Sequence, residues 1–284
     1  LKKFISLFLI LNFVQSVKAE IVESCFPKSQ LAFSVNDKSL DGMTEAEFNQ
    51  LIERAKSAMS LEVRKITGKN LIMNGQWNDP KVDAHATRDE SNNPVVVING
   101  GLARHPQMSR DGLLLIICHE IGHHLGGAPK SFRGNSKIRS WSSAEGAADY
   151  FATSKCLPRI FSDGAETKSM DFEVDTINLK HALNKCKDDT CARISLAGLS
   201  VSQVFASLKI GTPSPEIYKT DSTEVSQTVY NHPNPQCRLD TYIAGAICDV
   251  SLDLPFDNVD PRVGACVGSN VGSRPKCWFK DSEF

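Results

Sequence analysis

Cys118-His119-Glu120-Ile121-Gly122-His123-His124 closes an apolar stretch of the chain, and Ser143-Ala144-Glu145-Gly146-Ala147-Ala148-Asp149 follows it downstream. A helix advances about 100° per residue, so His119 and His123 share a face and can offer two imidazoles to one metal ion. Glu120 lies beside that pair, placed to act on water rather than to hold the metal. Arg110 to Leu125 reads as one helix: Leu113 to Cys118 is apolar all round, as in a buried helix, and Gly126-Gly127 with Pro129 supplies the stop. Two histidines and a glutamate on such a helix are costly to bury alone, and a metal would compensate them.

A catalytic zinc site commonly takes three protein ligands and keeps one position for water. Glu145 is the leading third ligand, because Ser142 to Cys156 looks like a second helix that would bring a carboxylate beside the first. Asp149 follows one turn later, suited to accept the free ring N–H of a liganding histidine. Other readings stay open here. Ser142 and Glu145 fit a capping box, Asp149 fits an ordinary surface acid, and His119 and His123 fit histidines with no metal. His124 is adjacent to the ligand face and is expected to be a bystander. Asn93 to Asn99 reads as a strand just before the helix, placed to pair with an extended peptide.

At these residues the chain resembles the gluzincin metallopeptidases of the HtpX and CAAX-prenyl-protease type, which join H-E-x-x-H to a downstream E-x-x-A-D. Glu145, Ala148 and Asp149 stand in the latter places. Trp77-Asn78-Asp79-Pro80-Lys81-Val82-Asp83-Ala84-His85-Ala86 is similar to the family's W-x-D-P-x-x-N-A-F-A segment, with Asp83 and His85 departing from it. Gly100-Gly101 matches the G-G after the strand, and His232-Pro233-Asn234-Pro235-Gln236-Cys237-Arg238 resembles the H-P-x-x-x-x-R turn. The resemblance implies one Zn2+ held by His119, His123 and Glu145, Glu120 as general base, and Asp149 behind the ligands. It also implies His232 or Arg238 near the substrate and its developing oxyanion.

The remaining chain sets the context. Lys2-Lys3, an apolar run from Phe4 to Val14 and Val17-Lys18-Ala19 form the three parts of a secretory signal peptide over 1–19, too short for a confident membrane span. Without Lys2, Lys3 and Lys18 the formal charge goes from −1 to −4, and nothing in the composition points to nucleic acid. Export to the bacterial periplasm or outside the cell is expected, with a polypeptide substrate and no membrane span after cleavage. Nine cysteines leave at least one unpaired. Cys118, inside the buried helix, is the expected free thiol, and Cys237 with Cys248 and Cys266 with Cys277 are the expected local bridges.

The expected fold class is α+β, zincin-like and mainly helical, with a small antiparallel sheet beside the active-site helix. One domain is expected over 20–284, with a catalytic core at about 70–250 and a disulfide-rich tail over 251–284. A Thr44/Glu47 capping box opens a helix through Ile66, and strands are expected at Lys69 to Trp77, Val82 to Arg88 and Pro94 to Asn99, joined by hairpin turns that hold Asp79-Pro80 and Glu90-Ser91-Asn92-Asn93. Further helices are expected at Ala192 to Leu208 and Gln236 to Cys248. The expected activity is zinc-dependent hydrolysis of peptide bonds, and the alternative is a zinc-binding, non-proteolytic chaperone or interaction protein.

Overall fold

The computed structural model describes Phe26 and residues 31–36, 42–132, 137–162, 176–268 and 270–284. The expected signal peptide and Cys25 lie outside the described residues. Helix α1 spans Glu45–Thr67, and its first turn is closed as its sequence predicts: Thr44 Oγ1 accepts from the Glu47 N–H while the Glu47 carboxylate accepts from the Thr44 N–H. Its stripe Phe48, Leu51, Ile52, Ala55, Met59 and Val63 is buried.

Strands β1 (Ile72–Gln76), β2 (Ala84–Arg88) and β3 (Pro94–Asn99) form one sheet in the order β1-β3-β2. The expected antiparallel sheet is therefore corrected to a mixed one. The turn after β2 does make a hairpin, because the Asp89 carboxylate accepts from the Ser91 and Asn93 N–H groups and Asn92 takes a left-handed φ of 60°. The expected hairpin at Asp79-Pro80 does not form: β1 runs parallel to β3, and the chain crosses over it. The Gly101 N–H donates to Asp79 O at 2.8 Å, and a Cβ on Gly101 would lie 1.8 Å from Pro80 O. Arg104 donates to the carbonyls of Phe33, Trp77 and Asp79. The Trp-to-Pro segment and the glycine pair thus latch the crossover against the short helix α2 (Gly100–Ala103).

β3 is buried along its whole length and paired on both edges, so it is unavailable to a peptide, contrary to expectation. β1 and β2 are the edges of the sheet. Helix α3 spans Arg110–Leu125, capped by Ser109 Oγ accepting from the Gly112 N–H, and residues 112 to 125 are all buried. A two-stranded ribbon of β4 (Lys130–Phe132) and β5 (Arg139–Ser143) leads into α4 (Glu145–Phe151). That helix continues through a π-helical stretch at Ala152–Cys156 into α5 (Leu157–Phe161). The described chain then adds α6 (Thr176–Lys185), α7 (Asp189–Ser207) and α8 (Pro235–Ile247). The architecture is thus mixed α and β, mainly helical, and no helix among the described residues is long and apolar enough to cross a membrane.

Among the described residues there are four disulfides, of the kind that persists in oxidising compartments. Cys118 is not free but bridged to Cys156, because α3 and the π-helical stretch pack side by side with Cα atoms 5.6 Å apart. The two expected local pairs are exchanged: Cys237 joins Cys277 and Cys248 joins Cys266. The chain folds back on itself there, so neighbours in space are not neighbours in sequence. Beyond Val250 the tail is irregular apart from a 3-10 turn at Asp281–Glu283, and it covers the core with buried Trp278 and Phe279, as its composition predicts.

Candidate metal centre

Helices α3 and α4 cross closely at Gly122, where a Cβ would stand 2.8 Å from Ala148 O and 2.9 Å from its Cα. Only a residue without a side chain allows this approach, and the approach brings Glu145 and Asp149 to the face carrying His119 and His123. His119, His123 and Glu145 are buried, with one ligand atom from each lying within 4.8 Å of the others. His119 Nε2 is 3.3 Å from Glu145 Oε2, and His123 Nε2 is 3.6 Å from Glu145 Oε1. The group can hold a metal ion.

Hydrogen bonds on the far side of each imidazole support that use. His119 Nδ1 lies 2.7 Å from Asp149 Oδ1, and His123 Nδ1 lies 2.9 Å from the Ser143 carbonyl, with Ser142 Oγ at 3.0 Å. With the proton on Nδ1 in both rings, each Nε2 lone pair points to the shared space beside Glu145. His123 Nε2 and Glu145 Oε2 are buried and make no hydrogen bond, which is costly for a site meant to stay empty and ordinary for one that binds a cation. Burial lowers the His123 pKa to about 4 against the opposing pull of Glu145, so its ring is neutral and ligand-competent at pH 7. Burial would raise the Glu145 carboxyl, but His123, His232 and His119 outweigh it and hold the pKa below the usual carboxylate range.

Asp149 is the floor of the centre. Burial works against its charge, yet Arg238 and His119 hold its pKa low. Arg238 clasps it with Nε at 2.9 Å from Oδ2 and Nη2 at 2.6 Å from Oδ1, and Tyr242 Oη donates to Oδ1 at 2.8 Å. Arg238 is 1% exposed and also lies over the Phe205 ring. Its Nη2 also stands 3.9 Å from Glu145 Oε2, so Arg238 packs against both carboxylates of the centre. Tyr242 is a partner the sequence reading missed; its signal is the spacing of four from Arg238 on α8, which puts both on one face.

The other expected residues fall as follows. Glu120 is buried on α3 between the two histidines. His232 does reach the centre: it is partly exposed, with Nε2 3.6 Å from Glu145 Oε2. Asn234, not the His-Pro pair, caps α8 by accepting from the Cys237 N–H. Ser142 is not a helix cap either. It lies in β5 and α4 starts from Ala144, whose side chain cannot cap, so the capping-box reading of Glu145 is removed. His124 is a bystander to the ligand set, stacked on Trp141 at 4.6 Å. Comparison with models of protein families, with curated proteins and with solved structures finds no match to this chain.

Proposed function

We propose that this chain is a zinc-dependent peptidase of the zincin type, acting on polypeptides outside the cytoplasm. The observation that carries the reading is the pair of distances from the two Nε2 atoms to the Glu145 carboxylate, 3.3 and 3.6 Å. The two distances run to different carboxylate oxygens, and one ligand atom from each of the three residues lies within 4.8 Å of the others, a His-His-Glu donor set that suits zinc with a fourth position for water. When bound, zinc would polarise the scissile carbonyl and make water more acidic. Glu120, buried beside the ligands, takes a proton from the attacking water and later returns it to the leaving amine. His232, partly exposed at Glu145, is placed to donate a hydrogen bond to oxygen as negative charge develops there. Asp149 and Arg238 keep His119 in the tautomer that exposes Nε2. Backbone pairing with an extended peptide falls to the β2 edge rather than to β3. The four disulfides support a site of action in an oxidising compartment.

The test is zinc content together with cleavage of an unfolded protein, for the native chain and Glu120→Gln. The expected result is equal zinc in both and cleavage slower by about 10²–10⁴-fold in the variant. Equal behaviour of the two toward every substrate would instead favour a zinc-binding, non-proteolytic protein.

A further inference from the structure

We propose that the C-terminal tail carries a second binding site, a cavity for a ligand that joins a carboxylate to an apolar body, with Arg274 as its anion receptor. The inference stands apart from the peptidase reading. The cavity holds about 470 Å³ and lies between segments 224–225, 261–268 and 273–282. That volume falls among small-molecule sites, which cover a ligand with apolar walls and orient it with a few polar groups. Arg274 lines the cavity and is only 7% exposed. Its guanidinium carbon is 5.1, 5.5 and 5.2 Å from the ring centres of Tyr150, Phe256 and Phe279, and Nη1 donates to the Pro261 carbonyl. Three aromatic rings thus make up part of the hydration that the charge has lost.

They do not supply a counter-ion. Nε is buried with no hydrogen-bond partner, and among the described residues no carboxylate forms an ion pair with Arg274. Burial lowers its pKa to about 10 while Tyr150 and Asp281 pull the other way, so the cation persists at pH 7. The wall holds four cations, Arg262, Arg274, Lys276 and Lys280, against two carboxylates, Glu224 and Asp281. Arg262 is met by Asp260 at 2.8 Å and Lys276 by Glu224 at 2.8 Å. Lys280 attracts Glu224 without forming an ion pair with it. A single carboxylate entering the cavity gives Arg274 the acceptor and the negative charge that it lacks. Val225, Val267 and Phe279 offer the remainder of the ligand an apolar wall, which a bare anion such as phosphate would leave uncovered.

The test titrates the full chain with N-acetyl-phenylalanine and with its amide, read by calorimetry and by the methyl resonances of Val225 and Val267. The acid is expected to bind about tenfold more tightly than the amide and to shift both valines. Arg274→Met should erase that difference, and Lys280→Met, at a half-buried position, should narrow it severalfold. If circular dichroism shows that Arg274→Met does not fold, Lys280→Met and the valine shifts decide the matter. A pentapeptide ending in phenylalanine, with its C-terminus free or amidated, separates the two sources of such a carboxylate. A free-ended peptide that binds like the small acid makes a polypeptide C-terminus the ligand, and one that does not makes it a small organic acid. Equal binding of acid and amide, binding of neither, valine resonances that stay in place, or an acid preference unchanged by both substitutions overturns the site.

Discussion

The metal centre and the C-terminal tail achieve order in opposite ways. At the centre, regular helices deliver buried polar groups to one another: His119 and His123 by their spacing on α3, Glu145 and Asp149 on α4, Arg238 and Tyr242 on α8. The tail beyond Val250 has almost no regular backbone, and its order is borrowed. Lys155 Nζ donates to Ser251 O, Arg159 to Leu252 O, Tyr150 Oη to Gly272 O and Arg274 to Pro261 O, while Cys237–Cys277 and Cys248–Cys266 tie it covalently to α8. The two regions meet at α4, where a Cβ on Gly146 would lie 2.3 Å from the Trp278 ring, right beside Glu145. Helical periodicity suffices where a few side chains must converge. Where irregular backbone must be held, long side chains from helices and cross-links take over.

The sharpest way to break the comparison is to remove one ligand. His123→Ala should abolish stoichiometric zinc binding, read by metal analysis after gel filtration, while circular dichroism shows the helices kept; retained zinc would mean that a different set of residues binds it. Next comes the tail. Replacing Cys237 and Cys277 together with alanine opens a loop closed across 40 positions and should lower unfolding free energy by about 4 kcal/mol, measured in urea with the remaining bridges intact. A loss below ~1 kcal/mol would mean that the hydrogen bonds and the Cys248–Cys266 bridge suffice to hold the tail.

The smallest effect separates the polar centre from an ordinary buried histidine. His105 accepts from the Gln107 N–H through Nδ1 and lies 3.1 Å from Ser207 Oγ through Nε2, and burial lowers its pKa from 6.5 to about 4. The native state therefore binds fewer protons than the unfolded chain between those values. Its contribution to stability is complete above pH 6.5 and is lost as the pH falls toward 4. His105→Gln should remove part of the drop in melting temperature over that window; an unchanged acid limb would place the effect elsewhere.

Much of the centre was legible because it rests on local rules. Residues four apart on a helix share a face, which predicted His119 with His123; a capping box located the start of α1, and an unbroken apolar run with a glycine stop located α3. The capping-box alternative for Ser142 and Glu145 fails because a capping box is only a spacing, and a strand can carry the same residues. The parallel pairing of β1 with β3 was hidden for a similar reason: a turn dipeptide at Asp79-Pro80 marks a change of direction without saying which neighbour the strand will meet.

By itself, then, the sequence determined the long helices α1, α3, α7 and α8, the capping box of α1, the spacing of the two imidazoles and the presence of an acidic helix downstream, because each follows from contacts within a few residues. Only the tertiary structure decided that Gly122 admits α4 and that Arg238 supports Asp149 from beneath. It also decided that Cys118 is bonded and that β2 rather than β3 is an edge. These depend on which distant surfaces pack together, and packing is settled by the shape and burial of the whole chain rather than by any short stretch of it.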